Sequence, residues 1–272
     1  MSKEKIAVVC FTWPGDYPIA TRFLKNLKDC VDRIFFCIES SHVNFPLPDW
    51  VTPLVMDFNR CQHLQGAEAI IGMRNVYAKL ESMGYEVIIK IDSDTWLLRP
   101  NLFIDPIING VDFAYIRRLG FEEHTDGHKW VRCASGPCYA LNRSVIGFLT
   151  KYDNREFDKI LFKRDRHEDL VFSELINTDP YTTSSELNFT RMWWAHMPYR
   201  KPDCILAHFG YCSLERIQEE VKLIRPDLYD FVYSDENEEY LKTFYKYCES
   251  VGLEKKQFLD YFDRNGEKLY GK

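Results

Sequence analysis

The chain has 272 residues, a length that suits one large α/β domain with a small appendage. It is 46% hydrophobic and 15% aromatic, so it can form a full core, and this argues against a disordered chain. The formal net charge of -6 argues against non-specific nucleic-acid binding, which needs an excess of basic residues. A negatively charged ligand would therefore need local arginines or a metal ion.

The cysteines and the apolar segments bear on the compartment. None of the 9 cysteines forms a C-x-x-C pair, which disfavours a zinc ribbon or a thioredoxin-type site. No segment approaches the ~20 apolar residues of a transmembrane helix, and residues 1–5 lead directly into a short strand without a long apolar leader. We therefore expect a cytoplasmic protein with reduced thiols and no transmembrane segment.

Strands and helices alternate in the first third of the chain. Strands are predicted at residues 6–12, 33–38, 53–56 and 87–91, and helices at 19–27 and 66–82. A turn at 13–16 separates the first strand from the first helix, and Gly84 suits the end of the second helix. This alternation predicts a doubly wound, mostly parallel sheet flanked by helices.

The rest of the chain is predicted to contain further strands and helices, followed by a helical C-terminal lobe. A short helix follows residue 99, a strand is predicted at 112–117, a polar loop at 120–129, and a strand at 131–141 interrupted at 135–137. Helices are predicted at 144–152, 157–162 and 168–176, and a last strand at 204–208. From residue 213 the helical spacing of Tyr, Leu and Phe predicts a small helical C-terminal lobe. The predicted domains are thus 1–212, with halves at about 1–96 and 97–212, and 213–272.

Asp92 and Asp94 directly follow the apolar run Val87–Ile91. Such a run predicts a strand that is buried on both faces, and its carboxyl end is where open α/β sheets bind ligands. Two carboxylates there suit Mg²⁺ or Mn²⁺, ions that commonly bridge to a diphosphate. The alternative is an Asp-rich turn that caps the next segment.

Four other features have a structural and a functional interpretation. Arg74 interrupts an apolar helix and could bind a phosphate, or pair with a buried acid. Gly136 lies among small residues that let a ligand approach the backbone, or that simply form a turn. Asp169 could be a general base, or could complement a helix dipole. His208 ends the last strand and could complete a metal site, or be structural.

Together these segments resemble the GT-A glycosyltransferases. Residues 72–96 resemble the segment in which an Arg-Asn helix precedes the D-x-D strand. Residues 135–141 are similar to the Gly-x-x-Tyr segment of the fringe-like and β1,3-galactosyltransferase-like branch, and Glu168-Asp169-Leu170 is similar to its Glu-Asp-Val. His208 corresponds to the late histidine of that branch. Pro137-Cys138 departs from the glycine-rich pattern, and the absent membrane anchor departs from the many Golgi members.

The resemblance implies a GT-A, Rossmann-like sheet and a metal-dependent transfer of sugar from a nucleotide-sugar, expected to be a UDP-sugar, to a glycan or glycoconjugate hydroxyl. It implies Mn²⁺ or Mg²⁺ held by Asp92, Asp94 and His208, with Asp94 the more direct ligand. It implies Asp169 as the base of an inverting reaction. The donor site would be formed by the following residues: Phe11, Thr12, Trp13, Arg74, Asp92, Ser93 and Gly136.

Three other functions compete with this one. A haloacid-dehalogenase-type phosphatase also uses Asp-x-Asp after a strand, but it expects Thr or Val where Trp96 stands. A sugar nucleotidyltransferase expects a Gly-rich basic loop after the first strand, which this sequence lacks. A degenerate transferase would bind carbohydrate without turnover. The sequence does not determine the oligomeric state.

Overall fold

The structure is a computed structural model that describes residues 5–56, 67–124, 127–151, 181–187, 192–194, 204–210 and 214–253, with residues 172, 176 and 212. The strands are β1 (Ile6–Phe11), β2 (Arg33–Ile38), β3 (Val51–Val55), β4 (Val87–Asp92), β5 (Thr95–Leu97), β6 (Phe113–His124), β7 (Gly127–Asn142), β8 (Ser184–Leu187), β9 (Met192–Trp194) and β10 (Leu206–His208). The helices are α1 (Tyr17–Leu24), α2 (Ala67–Ser82), α3 (Asn101–Ile108), α4 (Arg143–Thr150), α5 (Leu214–Ile224), α6 (Tyr229–Val232) and α7 (Asp235–Ser250).

A seven-stranded sheet forms the centre of the molecule, in the order β3-β2-β1-β4-β7-β6-β8. Strands β3, β2, β1 and β4 are parallel, and β7 is antiparallel to both β4 and β6. Strand β8 is parallel to β6, so β7 alone runs against the direction of its sheet. A three-stranded sheet, β5-β10-β9, lies beside it. The predicted α/β class, with a mixed, mostly parallel sheet flanked by helices, is confirmed.

The sheet is buried on both faces because alternate residues of its central strands enter two separate core clusters. In β1, Val8 and Cys10 belong to one cluster and Ala7 and Val9 to the other. Residues from α1 and α7 pack in the first cluster, and residues from α2 and α4 in the second. Burial on both faces explains why β1 and β4 are apolar runs rather than alternating patterns.

The C-terminal helices pack against the first half of the chain. Phe244 of α7 lies in the same core cluster as Tyr17 of α1, with ring centroids 5.8 Å apart. Arg22 and Lys25 form ion pairs of 2.7 Å with acidic residues of α7. The helical prediction from residue 213 is confirmed over 214–250, and the domain boundary at 212 stays a prediction.

The structure contradicts the polar loop predicted at residues 120–129 and, with β8 and β9, the irregular segment expected at residues 178–201. Within that loop range, β6 includes residues 120–124 and β7 includes residues 127–129, and the two strands form a long antiparallel pair that reaches His124↔Gly127. Backbone pairing needs no apolar side chains, so polar composition did not exclude strands here. The expected interruption is present: the register shifts between Tyr115 and Arg117, opposite residues 134–139. The helix predicted at 157–162 lies outside the described residues, as does most of that at 168–176.

Within the part of the chain that the structure describes, no helix is long and apolar enough to cross a membrane. The cytoplasmic compartment stays a prediction.

Candidate functional site

The candidate site lies where β1 and β4 end side by side. Phe11 is the register partner of Asp92, at the last position of both strands. The sheet order reverses between these strands, since β2 and β3 follow β1 to one side and β4 lies on the other. Ligands of open α/β sheets bind in the crevice at such a switch point. The topology therefore places Asp92 at the preferred ligand position of the fold.

A second sheet brings His208 to the same place. Ser93 and Asp94 form the turn after β4, and Thr95 begins β5, which pairs antiparallel with β10 in the register Thr95↔His208. The Phe209 backbone N–H donates a 2.9 Å hydrogen bond to the Asp94 carbonyl oxygen. Asp94 and His208, which lie 114 positions apart in the sequence, are therefore brought together by ordinary backbone pairing between β5 and β10.

Asp94 and His208 form a close pair. His208 Nδ1 lies 3.2 Å from Asp94 Oδ1 and 3.2 Å from the Thr95 hydroxyl oxygen. Burial by itself would raise the pKa of Asp94, but the charge and hydrogen bond of His208 bring that pKa below its ordinary value. Burial would lower the pKa of His208, and Asp94 instead raises it. Each group thus favours the charged form of the other.

The same pair faces a small open space above Gly210. A Cβ atom added to Gly210 would lie 2.8 Å from His208 Nε2 and 3.3 Å from Asp94 Oδ2, so any side chain there would press on both groups. One imidazole nitrogen and one carboxylate oxygen therefore border a cradle that a methyl group would fill. Mg²⁺ sites commonly use only one or two carboxylates and take further ligands from water and substrate phosphates. Asp94 and His208 fit such a two-residue site.

Asp92 has a different partner. Its Oδ1 accepts a 2.6 Å hydrogen bond from Lys90 Nζ, and about a quarter of its side chain is exposed. Among the described residues, no group of three or more His, Cys, Asp or Glu side chains is arranged to hold a metal ion. The structure thus brings Asp94 and His208 together, while Asp92 forms an ion pair beside them.

Asp16 connects the turn after β1 with the turn after β4. Its Oδ1 accepts a 2.8 Å hydrogen bond from the Trp13 indole N–H, and its Oδ2 accepts a 2.9 Å bond from the Ser93 hydroxyl. The Trp13 ring covers Gly15, where a Cβ atom would lie only 2.1 Å from the ring. Trp13 is partly exposed, and Asp16 is buried. The indole is therefore held in a fixed orientation at the rim of the crevice.

The remaining predicted residues are placed as follows. The side chains of Phe11 and Thr12 are buried, so these two residues contribute mainly backbone to the rim. Arg74 is buried on α2, where its guanidinium donates to the Asn75 side chain at 3.1 Å. The Gly136 carbonyl accepts a hydrogen bond from Lys90 Nζ, which joins its segment to the end of β4. Asp169 lies outside the described residues.

Sequence reasoning missed Lys90, Asp16 and Gly210. A signal for Lys90 existed: residues two apart on a strand share a face, so a lysine two positions before Asp92 can reach its carboxylate. Asp16 stood in a turn with no pattern linking it to Ser93, 77 positions away. The closeness of Gly210 to the pair could not be read from the sequence, because it follows from the β5–β10 register.

Comparisons with known proteins give only distant likenesses. No protein-family model matches the chain, and no curated protein matches its sequence. Its structural neighbours include a glycosyltransferase involved in the glycosylation of the major capsid of PBCV-1, with a TM-score of 0.48 and 11% identity over 80% of this chain and 99% of that one. Another is a protein assigned as a glucose-1-phosphate thymidylyltransferase from Bacillus anthracis, in complex with a sucrose, with a TM-score of 0.43 and 10% identity over 68% and 87%. These scores are too low to support a functional argument, so function must be argued from the site.

Proposed function

We propose that this protein is a metal-dependent glycosyltransferase that moves a sugar from a nucleoside-diphosphate sugar, expected to be a UDP-sugar, to a hydroxyl group of a glycan or glycoconjugate. The observation that carries the proposal is the meeting of Asp94 and His208 over Gly210, at the switch point of a mostly parallel sheet. The site combines a two-ligand cation cradle with an oriented aromatic ring, and both suit a nucleotide with a charged diphosphate.

The chain's own residues have distinct roles in this proposal. Asp94 Oδ2 and His208 Nε2 would hold Mn²⁺ or Mg²⁺, and the bound cation would stabilise the negative charge that develops on the leaving diphosphate. Trp13, fixed by Asp16, would offer a face for stacking a base or sugar ring. Asp92 and the Gly136 segment would line the crevice beside the cation cradle. Arg74 is proposed to approach the nucleotide.

The transfer step needs a base. In the proposed reaction the Asp169 carboxylate accepts the proton of the acceptor hydroxyl, and the hydroxyl oxygen forms a bond to the anomeric carbon. The bond from that carbon to the diphosphate breaks, and the diphosphate leaves with the electron pair. Attack from the face opposite the diphosphate inverts the anomeric configuration. An NMR time course that showed a retained configuration would reject this role for Asp169.

The first test is a thermal-shift screen of nucleoside diphosphates, each with and without Mn²⁺. A ligand that binds only the folded state raises stability by RT ln(1 + [L]/Kd), which is ~2.7 kcal/mol at a hundredfold excess over Kd. We expect a metal-dependent shift with at least one nucleotide, UDP first. The proposal fails if no nucleotide gives a shift that depends on the metal.

A hydrolysis assay separates the competing functions. A transferase with an intact site should slowly hydrolyse its nucleotide-sugar donor when Mn²⁺ is present, whereas a degenerate transferase should bind the donor without hydrolysis. A phosphatase should instead release phosphate from a phosphomonoester such as p-nitrophenyl phosphate. Phosphomonoester hydrolysis without donor hydrolysis would favour the phosphatase.

A further inference from the structure

Lys90 is a charged residue in the middle of an otherwise apolar buried strand. Its side chain is completely buried, between Ile89 and Ile91 in the sequence of β4. An ammonium group removed from water is costly unless it is paired and hydrogen-bonded. A methionine or leucine would fill a core position without that cost, so the charge itself needs an explanation.

The neighbours of the Lys90 ammonium include groups from two strands at the end of β4. The ammonium donates to Asp92 Oδ1 at 2.6 Å and to the Gly136 carbonyl oxygen, and it lies 5.6 Å from the centre of the Tyr139 ring. Asp92 and Gly136 belong to adjacent antiparallel strands, β4 and β7. One buried cation thus joins two predicted segments of the donor site.

The charge of Lys90 also acts beyond Asp92. Burial and the Asp94–His208 interaction have the larger effects on the pKa values of Asp94 and His208, and the Lys90 charge lowers both pKa values by a smaller amount. A positive charge beside the cation cradle reduces the attraction of the site for a second cation. It also fixes one oxygen of Asp92, which directs that carboxylate toward the lysine.

We propose that Lys90 is a positioning residue that acts as an internal cation of this site. It orients Asp92 and the Gly136 carbonyl, and it limits the metal affinity of the free protein, so that the metal binds through Asp94 and His208 together with the diphosphate. The diphosphate ligand in this inference rests on the proposed function. The effect of the Lys90 charge on Mn²⁺ binding does not depend on that function. A purely structural role would hold the two strands together without affecting metal binding.

The test is a double-mutant cycle of Lys90 and Asp92, measured on the protein without nucleotide. Mn²⁺ affinity is determined by electron paramagnetic resonance for the wild type, Lys90→Met, Asp92→Asn and the double variant. Removing the ammonium should tighten Mn²⁺ binding by at least about tenfold, the lower bound that Coulomb's law gives when the repulsion between a unit charge and a nearby divalent cation is screened as in water. Asp92→Asn should weaken binding by a similar factor, and the double variant should return near the wild-type value. Lys90→Arg, which keeps the charge, should also stay near the wild-type value.

The outcomes are distinguishable from those of the proposed function. Equal Mn²⁺ dissociation constants across the cycle, or no Mn²⁺ binding by any variant, overturn the role of Lys90. If the wild type binds nucleotides with Mn²⁺ but all variants have the same Mn²⁺ dissociation constant, the proposed function survives and the inference about Lys90 fails. If the Mn²⁺ affinities change as predicted but no nucleotide binds, the inference about Lys90 survives and the proposed function fails. Should Lys90→Met not fold, as judged by circular dichroism, Lys90→Gln, which removes the charge but keeps a polar side chain, takes its place in the cycle.

Discussion

The aspartates at the two ends of the central sheet have different kinds of hydrogen-bonding partners. At the carboxyl ends, Asp92 and Asp94 are paired with Lys90 and His208, which are themselves ionisable. At the amino ends, Asp112 precedes β6, and the described residues that donate hydrogen bonds to it are neutral. The second arrangement completes a carboxylate within the fold, and the first places a cluster of ionisable groups at the end of the sheet where the proposed ligand would bind.

The Asp112 side chain joins three segments at the sheet edge. Its Oδ1 accepts from Asn142 at 2.7 Å and from the Ser144 hydroxyl, and its Oδ2 accepts from the Thr183 backbone N–H at 2.9 Å and hydroxyl at 2.8 Å. Burial alone would raise the pKa of Asp112, but these hydrogen bonds lower it below the ordinary value. Four hydrogen bonds therefore hold the Asp112 carboxylate in place and stabilise this end of the sheet.

The largest expected effect is on activity at the carboxyl ends. Asp94→Asn should reduce donor turnover with Mn²⁺ by at least about 100-fold, because changes even in residues that only support metal ligands cost 10- to 100-fold. The measurement is nucleotide-sugar hydrolysis or transfer over a Mn²⁺ titration. Asp112→Asn is the matched control at the other end and should keep the wild-type metal response. Full activity and metal response in Asp94→Asn would contradict the metal site.

The next effect is on stability at the amino ends. Asp112→Asn should lower the free energy of unfolding by about 2 kcal/mol at pH 7, since hydrogen bonds to a charged group contribute about 1.5–3 kcal/mol. The folded pKa of Asp112 lies below its unfolded value, so its contribution is present above the unfolded pKa and is lost as the pH falls through the folded pKa. The difference between wild type and variant should therefore shrink in acid.

Urea unfolding at a series of pH values measures this difference. Asp49→Asn, at an exposed acid, is the control and should change stability by less than about 0.5 kcal/mol. A stability loss in Asp112→Asn that stayed constant into strong acid would show that the carboxylate charge is not what stabilises this edge.

The smallest expected effect concerns the orientation of Trp13. Asp16→Ala removes the acceptor for both the indole and the Ser93 hydroxyl, and should weaken nucleotide binding about fivefold, the equivalent of roughly 1 kcal/mol for a lost hydrogen bond. Asp16→Asn keeps an acceptor oxygen and should lose less. Isothermal titration calorimetry with the nucleotide found in the screen measures both. Unchanged affinity in Asp16→Ala would mean that the fixed indole does not contribute to binding.

Much of the fold could be read from the sequence because it depends on local patterns. The apolar runs of β1, β2 and β4 predicted strands buried on both faces, and Gly84, with a φ of 89°, ends α2 as predicted. Strands were predicted at 112–117 and 131–141, but their polar extensions were not, because that composition resembles a loop and backbone pairing needs no apolar side chains.

The sequence by itself determined that two carboxylates stand at the end of a buried strand and that a late histidine ends another. Only the tertiary structure decided how these groups are paired. Antiparallel pairing of β5 with β10 brought His208 to Asp94, whereas the approach of Lys90 to Asp92, two positions away on the same strand, follows from local side-chain alternation. The physical reason is that strand register and burial fix which charges meet, and both depend on contacts between residues far apart in the chain.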